Sequence, residues 1–498
     1  MDAPKNKTIP IKPVAGDGAG AGAQGEPKTV RLYEASRKIY ARTISGYFAR
    51  WRWALVFLTQ LVFYGLPWLK WGDRQAVLFD LAARRFYLFG WVLYPQDLIY
   101  LSGLLVISAL SLFLFTAIAG RLWCGYSCPQ TVYTEIFMWV EQRIEGNRSA
   151  RMRLDNTSMN AEKLVLKSFK HIVWIGIAMW TGFTFVGYFT PIRELGLAFL
   201  QTRMGSWEVF WVFFYAFATY GNAGFMREQV CKYMCPYARF QSAMFDQDTM
   251  IVAYDAQRGE KRGPRSKNVD LAAKGLGDCI DCKLCVQVCP TGIDIRDGLQ
   301  YECIGCGLCA DACDSVMDKM GYAPGLIRYD TQRAMDGVRE VRRGVVDPSA
   351  PAVGRAKLRS HLLRPRVLIY AGLLTALTVG LMASLVTRAP LKVDAVRDRA
   401  SLARVVDEGR IENVYRLQIM NATEQTQRYR IEARGLEGLQ VVAGNEAEVG
   451  PAESRWVAVR LQIPPESAPA GSHEVHFDVS ADNGTARVSE LATFIVPR

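Results

Sequence analysis

Histidine is scarce in this chain, and the scarcity argues against several kinds of cofactor site. Only four His residues occur among the 498. A haem held inside a membrane needs axial ligands from facing helices, and of the four only His171 borders a hydrophobic run, so no intramembrane haem is expected. His473 and His476 lie three positions apart on a predicted strand, where side chains alternate between faces. We expect them to be surface or packing residues.

Features are also missing at both ends of the chain. Residues 1–30 are polar, contain the tract GAGAGAQG and lack the apolar core of a secretory signal peptide. They therefore predict a partly disordered cytoplasmic tail. No cysteine occurs after Cys313, so disulfides are excluded from the C-terminal part of the chain.

Long apolar runs, by contrast, are present in several places. Each approaches the roughly 20 residues needed to cross the hydrocarbon core of a bilayer, and none has a central Lys, Arg or Asp. The five predicted spans are 53–69, 98–119, 171–190, 207–225 and 367–387. A shorter run, Phe86–Tyr94, is expected to lie at the membrane interface or to cap the second span.

The formal net charge of +12 is unevenly distributed along the chain. Lys and Arg number nine in residues 1–50 and eight in residues 120–170, against four in residues 70–97 and two in residues 191–206. By the positive-inside rule the first two stretches are cytoplasmic and the last two face outward. Because much of the basic excess has this topological explanation, no nucleic-acid partner is expected.

The spans divide the chain into parts of different character. The predicted parts are a cytoplasmic tail (1–50), a four-span membrane domain (51–240), a cytoplasmic segment with its linker (241–366), a fifth span (367–387) and an outward-facing domain (388–498). Within the last part, tracts such as VYRLQIMN and RWVAVRLQI alternate apolar and polar residues between turns. This pattern predicts a small immunoglobulin-like β-sandwich, which we interpret as a docking module. The basic stretch Arg339–Arg343 is expected to be a solvated loop.

Cysteine is the most informative residue type. All 12 cysteines fall on the predicted cytoplasmic side, in three places. A reducing compartment keeps thiols free, so the pattern favours metal ligands and redox work over disulfides.

Eight of the cysteines follow a ferredoxin spacing. DCIDCKLCVQVCP and ECIGCGLCADACD each give C-x2-C-x2-C-x3-C, with Asp314 where the second run would have Pro. In two-cluster ferredoxins the fourth cysteine of each run ligates the other cluster. The predicted ligands are Cys279, Cys282, Cys285 and Cys313 for cluster one, and Cys303, Cys306, Cys309 and Cys289 for cluster two. Structural zinc sites, the alternative, usually present two C-x2-C pairs separated by a long loop.

A second cysteine motif, C-x3-C-P, occurs twice, each time just past an apolar run. The copies are Cys124/Cys128 in RLWCGYSCPQ and Cys231/Cys235 in QVCKYMCPYA. If the two halves pack together, four thiols converge near the membrane surface, where they would suit Cu(I), Zn or an iron–sulfur cluster, and Met234 offers a thioether. The Pro is expected to interrupt the helix and hold each pair on a turn. Two structural thiol pairs remain the alternative.

Taken together, these motifs resemble the FixG/RdxA/CcoG-type cytochrome c oxidase accessory proteins, a family of membrane polyferredoxins. The resemblance rests on RLWCGYSCPQTVYTE, REQVCKYMCPYARFQSAM, the eight-cysteine segment, the five spans and the C-terminal sandwich. It implies a multi-pass protein of the bacterial inner membrane with cytoplasmic clusters and a periplasmic C-terminal domain. It further implies assembly of a cbb-type cytochrome c oxidase, with oxidase assembly factors and copper-handling proteins as partners.

The fold class is therefore predicted as mixed: a polytopic α-helical membrane domain of about five spans, an inserted two-cluster ferredoxin-like segment and the sandwich. The resemblance implies a cupric reductase with two [4Fe–4S] clusters, in which Cys124, Cys128, Cys231 and Cys235 handle copper or deliver electrons. The alternatives are an electron conduit to quinone or a membrane oxidoreductase, and a non-enzymatic assembly scaffold. No nicotinamide or flavin fingerprint is evident, so the cytoplasmic electron donor stays unidentified.

Overall fold

The computed structural model describes residues 38–267, 274–335, 362–398, 403–484 and 486–497. The predicted tail at 1–30 and the basic loop at 339–343 lie outside these residues. The helices are α1 (Tyr47–Gly65), α2 (Leu98–Ala119), α3 (Leu122–Tyr126), α4 (Pro129–Glu145), α5 (Arg148–Asn156), α6 (Ala161–Val186), α7 (Ile192–Leu200), α8 (Ser206–Gly221), α9 (Pro236–Met244), α10 (Ala256–Gly259), α11 (Leu284–Val288), α12 (Leu308–Met320) and α13 (Pro365–Val386).

Among the described residues, strands lie in three regions between and after these helices. The first region holds β1 (Lys70–Trp71), β2 (Arg74–Gln75), β3 (Val77–Asp80), β4 (Arg85–Leu88) and β5 (Trp91–Leu93). The second holds β6 (Met250–Tyr254) and β7 (Ile327–Thr331). The third holds β8 (Leu391–Arg397), β9 (Arg404–Val405), β10 (Ile411–Asn421), β11 (Gln427–Arg434), β12 (Gln440–Ala443), β13 (Glu446–Val449), β14 (Ser454–Ile463), β15 (Gly471–Ala481) and β16 (Arg487–Val496).

Three helices in the described part of the chain are long and apolar enough to cross a membrane, where the sequence predicted five. They are Pro95–Ala119, Ala161–Val186 and Pro365–Val386, which correspond to the predicted spans 98–119, 171–190 and 367–387. The predicted spans 53–69 and 207–225 are also helical, but they do not qualify.

Each of these two segments is limited by a different local feature. The helix α1 carries Arg50 and Arg52 near its N-terminus and ends ahead of Pro67. The helix α8 has 16 residues, a length of about 24 Å against the roughly 30 Å of a bilayer core. Its apolar sequence continues into a π-helical turn, Asn222–Met226. The apolar stretch in the sequence is therefore longer than the α-helix.

The helices α4, α6 and α8 pack around a shared core beneath the cysteine motifs. Trp174 of α6 is buried, stacks on Phe137 of α4 at 5.1 Å between ring centroids, and donates to the Phe137 carbonyl at 3.1 Å. Gly182 lets α6 approach α8 closely, because a Cβ there would lie 2.3 Å from the Val212 carbonyl oxygen. This packing fixes α4, whose first residues follow the first cysteine pair.

The stretch between α1 and α2 forms strands. The run Phe86–Tyr94, predicted to lie at the membrane interface or to cap the second span, supplies β4 and β5 and leads into α2. Strands β3, β4 and β5 form an antiparallel sheet. The Tyr94 hydroxyl donates to the Asn421 carbonyl of β10 at 2.9 Å, and Asp97 accepts from Arg388 at 2.6 Å. Residues 77–97 therefore lie on the same side of the molecule as the C-terminal domain.

The C-terminal domain is the predicted β-sandwich. One sheet has the order β12–β14–β10–β8, with β9 also paired to β10, and the other has the order β13–β11–β15–β16. Alternate residues of both sheets form one apolar core that includes Tyr415, Phe477 and Phe494. The domain begins at β8, ahead of the alternating tracts noticed in the sequence.

The eight-cysteine segment folds between the strands β6 and β7. These strands pair antiparallel, with Val252 opposite Tyr329. Ile295, Ala310 and Ile327 complete a small core from which the cysteines extend. The pairing joins chain from before the segment to chain after it, so it closes the segment into a compact unit.

Candidate metal centre

The structure sorts the eight ferredoxin-type cysteines into two groups. The first cysteine group is Cys279, Cys282, Cys285 and Cys313, which line one cavity. Its loop turns tightly because Asp281 and Lys283 take left-handed backbone angles, with φ of 53° and 54°. Burial raises the pKa of Cys313 to about 12, and the thiols of the other three members contribute to the rise. Cys313 thus lies among cysteines of the preceding run.

The second cysteine group combines the other run with a cysteine from the first. Its members are Cys289, Cys303, Cys306 and Cys309. Burial raises the pKa of Cys309 well above its usual value, and Cys306, Cys303 and Cys289 raise it further. Gly305 and Gly307 have φ of 64° and 74°, a conformation that glycine adopts without steric cost and that wraps the loop around its centre.

The two runs end differently, which explains the missing Pro. Cys289 follows the end of α11 and precedes Pro290. Cys313 lies inside α12, which continues to Met320. Pro at position 314 would break this helix, whereas Asp314 accepts a hydrogen bond from the Gly325 amide at 2.7 Å. The departure from the ferredoxin pattern is therefore a helix requirement and removes no thiol.

The donor set fits iron–sulfur clusters better than single ions. Among the described residues, no three His, Cys, Asp or Glu side chains are grouped to hold a single ion, and this is true of the two cysteine groups and of the C-x3-C-P cysteines alike. A cubane cluster separates its four cysteine sulfurs more widely than one ion does. Four thiols around a common centre, without histidine or carboxylate ligands, are the donor set that [4Fe–4S] clusters use.

The first C-x3-C-P copy lies in the short helix α3 and the turn after it. Cys124 is within α3, and Cys128 precedes Pro129, the first residue of α4. The Cys124 thiol donates to the Gln241 side chain of α9 at 3.2 Å, and Thr131 donates to the Cys124 carbonyl at 2.6 Å. The Pro does interrupt the helix, and it also starts the next one.

The second copy has a different backbone. Residues Val230–Met234 form a π-helical turn, and Pro236 begins α9 after Cys235. Another π-helical turn at Asn222–Met226 ends at Arg227, whose φ is 41°. Single π-turns of this kind are frequent at functional sites. Met234, the candidate thioether ligand, is 56% exposed.

The four thiols of the two copies lie close enough to influence one another. Burial raises the pKa of Cys124 to about 12; Cys128, Cys231 and Cys235 add to the rise, and the Arg121 guanidinium opposes it. Burial likewise raises the pKa of Cys231 to about 11, with contributions from Cys128 and Cys235. We call these residues the four-thiol site. The two pairs therefore lie near each other, although no three of the four thiols are grouped as ligands of one ion.

The first copy rests directly on the second cysteine group. A Cβ on Gly125 would lie 2.9 Å from both the Gly305 and Ile304 carbonyl oxygens, so no side chain fits between these two backbones. The Tyr126 hydroxyl donates to the Cys306 carbonyl at 3.1 Å. This contact joins the four-thiol site to the loop that carries Cys303 and Cys306.

Arg121 connects the same loop to the second copy. Its side chain is buried, and one Nη donates to the Tyr301 carbonyl and, at 3.2 Å, to the Cys303 carbonyl. The other Nη donates to the Ala238 carbonyl and, at 2.6 Å, to the Ser242 hydroxyl of α9. Sequence reasoning missed this residue, although it stands three positions before Cys124.

A buried ion-pair network holds the chain that leads into the second copy. Glu141 of α4 is fully buried and pairs with Arg227 at 2.9 Å and with Arg151 at 3.3 Å. Burial acts to raise the pKa of Glu141, but Arg227, Lys38 and the other nearby cations outweigh it and hold the pKa at about 2. No local sequence pattern predicts this network, because Lys38, Glu141 and Arg227 are far apart in the chain.

His171 and His473, two of the described histidines, each have a nearby oxygen partner. His171 Nδ1 is 3.0 Å from the Tyr220 hydroxyl, and its ring stacks on Phe225. His473 Nε2 is 2.7 Å from the Pro469 carbonyl oxygen. Both contacts are packing interactions of the kind expected from the sequence.

Comparisons with known proteins agree with these features. Family models described as a 4Fe-4S binding domain, a 4Fe-4S dicluster domain and an Ig-like fold at the C-terminal of FixG match residues 101–147, 226–332 and 381–497. A solved structure, a FixG-related protein from Vibrio parahaemolyticus, is 24% identical, covers 21% of this chain and 95% of its own, and has a TM-score of 0.20.

Two curated proteins match over most of their length. Protein RdxA of Cereibacter sphaeroides is 40% identical over 451 residues, which cover 88% of this chain and 92% of that protein. Nitrogen fixation protein FixG of Rhizobium meliloti is 39% identical over 409 residues, which cover 78% of each chain. With its two ferredoxin-type cysteine groups and its sandwich, this chain belongs to the FixG/RdxA family of iron–sulfur redox proteins.

Proposed function

We propose that this protein reduces Cu(II) to Cu(I) at the four-thiol site during assembly of a cbb-type cytochrome c oxidase. The observation that carries the proposal is the contact of Gly125 with the Gly305 backbone. Gly125 lies between Cys124 and Cys128, so this contact supports a first thiol pair beside the loop of the second cysteine group. Clusters bound by the two cysteine groups supply single electrons beside these thiols.

The two cysteine groups are proposed to hold one [4Fe–4S] cluster each. Cys279, Cys282, Cys285 and Cys313 would bind cluster one, and Cys289, Cys303, Cys306 and Cys309 would bind cluster two. Iron and sulfide are then expected at about eight each per chain, because each cubane contains four of both. The variant Cys289→Ser is expected to damage cluster two and spare cluster one. Loss of cluster one in that variant would contradict the crossed ligand sets.

The four-thiol site has the chemistry to capture copper. Thiolates are soft ligands and favour Cu(I). Because burial raises the pKa of Cys124 to about 12, this thiol is protonated at neutral pH and must release its proton when a metal binds. The Cys124 thiol donates its proton in a hydrogen bond to the Gln241 side chain. After the proton is released, the buried Arg121 cation stabilises the Cys124 thiolate. Addition of one electron then converts bound Cu(II) to Cu(I).

The proposed topology has five spans, with the N-terminus and clusters in the cytoplasm and the sandwich in the periplasm of a bacterial inner membrane. Large apolar side chains on α1 and α8 support spans at these helices: Phe57 is 68% exposed and Phe217 is 76% exposed. The contact of Tyr94 with Asn421 supports a shared side for residues 77–97 and the sandwich. A reporter fused after Arg498 should be active only in the periplasm.

Copper reduction by the purified, anaerobic protein tests the function. The clusters are reduced with dithionite, excess reductant is removed, and Cu(II) is added with a chelator that absorbs when it binds Cu(I). The fourfold Cys-to-Ser variant at 124, 128, 231 and 235 is expected to lose this reduction and to keep the cluster absorbance. Ser127→Ala, a change inside the first copy that removes no thiol, serves as the control and should match the wild type.

Unchanged copper reduction in the fourfold variant would contradict the proposed copper site. Full oxidase assembly in cells that carry that variant would favour the scaffold alternative. Because oxidase assembly factors and copper-handling proteins are the proposed partners, the assembly measurement should follow oxidase activity in membranes together with copper content.

A further inference from the structure

A cavity lies beside the second cysteine group. Its volume is about 190 Å³, and it is lined by the chain at Ala41–Ile44 and by residues of α1 and α4. Val288, Pro290 and Leu308 also line it, and these residues adjoin Cys289 and Cys309. This volume is below the roughly 300–1,000 Å³ of whole small-molecule sites, so a ligand here must extend into a neighbouring space.

The polar side chains of this cavity have unused hydrogen-bond donors. Arg52 is 1% exposed and pairs through one Nη with Glu135 at 2.9 Å. Its Nε and other Nη have no hydrogen-bond partner among the described residues, and the same holds for Nε of Arg151. A buried N–H group without a partner is costly, so these donors indicate a ligand that presents acceptor oxygens to them.

The wall of the cavity opposite these donors is aromatic and leads toward lipid. Trp53 and Trp139 line the cavity and also line a second, largely apolar groove between α1, α4 and α6. Their rings lie 6.3 Å apart. Phe57, Gly176 and Trp180 continue this groove along the membrane-facing surface. A molecule that fills both spaces needs a polar head and an apolar tail.

We propose that the cavity and groove bind an isoprenoid quinone, with the head group at Arg52 and the tail between α1, α4 and α6. A phospholipid also has a polar head and an apolar tail. The position of the head group beside Cys289 and Cys309 favours a redox carrier, because the cysteines of that group belong to an iron–sulfur site. The inference rests on the iron–sulfur part of the proposed function and not on copper.

The redox step implied by such a site balances in electrons and protons. Oxidation of one quinol to quinone releases two electrons and two protons. The iron–sulfur acceptors held by the neighbouring cysteines take the electrons one at a time, and the protons leave to water at the end of the cavity lined by Arg42 and Gln142. The two electrons from one quinol would therefore suffice to reduce two Cu(II) ions.

Photolabelling of the full-length protein with an azido derivative of decylubiquinone tests the site. Label is expected in peptides from α1 and α4, and excess decylubiquinone should suppress it at least tenfold. The variant Gly176→Phe should lower labelling at least fivefold by filling the groove, since a Cβ there meets no atom within 4 Å. Gly372→Phe in α13, where a Cβ is equally unobstructed, is the matched control and should label fully.

A second variant examines the head group. Arg52→Lys keeps a positive charge beside the second cysteine group but removes the two unpaired donors, so labelling should fall at least fivefold while iron content stays unchanged. Equal labelling of Gly176→Phe and Gly372→Phe, or label outside α1 and α4, would overturn the quinone site. Suppression by phosphatidylglycerol but not by decylubiquinone would identify a lipid site instead. Copper reduction driven by dithionite does not use this cavity, so the proposed function is judged separately.

Discussion

The two C-x3-C-P copies have the same cysteine spacing and the same third residue, but they are built differently. In the first copy Tyr126 is 5% exposed and bonds to the Cys306 carbonyl. Its equivalent in the second copy, Tyr233, is 65% exposed. The contrast is sharper at the second residue of the motif. In the first copy this residue is Gly125, which touches the Gly305 backbone. In the second copy it is Lys232.

This difference suggests a division of labour between the copies. The first copy connects the four-thiol site to the ferredoxin segment. That contact requires the small Gly125 and the buried Tyr126. The second copy contributes Cys231 from a π-helical turn and Cys235 just after it, and Tyr233 and Met234 of that turn are exposed. An incoming metal would meet the second copy first, and electrons would arrive through the first.

Exchanging the second motif residue between the copies should have the largest and most unequal effects on copper reduction. Gly125→Lys must push the first copy away from Gly305, because even a Cβ would lie 2.9 Å from two carbonyl oxygens. A displacement of about 1 Å is enough to slow a positioned reaction about 100-fold, and we expect at least that loss of copper reduction. Lys232→Gly should retain most of the activity. Equal effects of the two changes would contradict the division of labour.

Removing the charge of Glu141 should loosen the chain before the second copy. Glu141→Gln leaves the buried Arg227 without its partner, at a cost on the order of 3 kcal/mol in the free energy of unfolding. The pKa of Glu141 is lowered from 4.5 to about 2 in the folded protein. Its contribution is therefore complete above about pH 4.5 and is lost as the pH falls from there toward 2.

The pH dependence gives this variant a second readout. The difference in unfolding temperature between Glu141→Gln and the wild type should be constant from pH 5.5 to pH 8 in detergent. Alkylation of Cys231 should be faster in the variant, whereas alkylation of Cys124 should change little. A stability difference that varies across this pH range would show that another group, and not the Glu141 carboxylate, pairs with Arg227.

The smallest effect is expected from the two tyrosines. Tyr126→Phe removes one buried hydrogen bond to the Cys306 carbonyl, which is worth about 1 kcal/mol. It should lower the unfolding temperature slightly and shift the reduction potential of the cluster held by that loop. Tyr233→Phe, at the equivalent exposed position, should alter neither quantity. A measurable shift from Tyr233→Phe would mean that the second copy also contacts the cluster loops.

Sequence reasoning reached furthest where the pattern is local. The grouping of Cys313 with the preceding cysteine run is predicted by a ligand pattern that spans 35 residues of the chain. The sandwich is predicted by the alternation of apolar and polar residues along each strand. The different burial of Tyr126 and Tyr233 could not be predicted, because identical local motifs are distinguished only by what packs on them. The same applies to Arg52 and Glu141, whose partners are distant in sequence.

The membrane helices show a limit of a different kind. The apolar stretch at 53–69 continues past the end of α1 through a Pro-containing turn. The apolar stretch at 207–225 continues past the end of α8 through a π-helical turn. Hydropathy measures composition and does not register where an α-helix ends. Hydropathy also did not predict the short strands β4 and β5 in the run Phe86–Tyr94, where Tyr87, Val92 and Tyr94 pack with Met420 and Ala452. Its position at the membrane interface stays a prediction.

The central claim is that both cysteine pairs form one site at which copper is reduced. It is tested most directly by comparing two double variants, Cys124→Ser with Cys128→Ser and Cys231→Ser with Cys235→Ser, in anaerobic stopped-flow reduction of Cu(II), with iron counted in each preparation. Both double variants are predicted to keep about eight iron atoms per chain and to lose copper reduction to the same extent. Full activity in either double variant, or a loss of iron from a twelve-iron wild type that reveals a third cluster on these four cysteines, would contradict the claim.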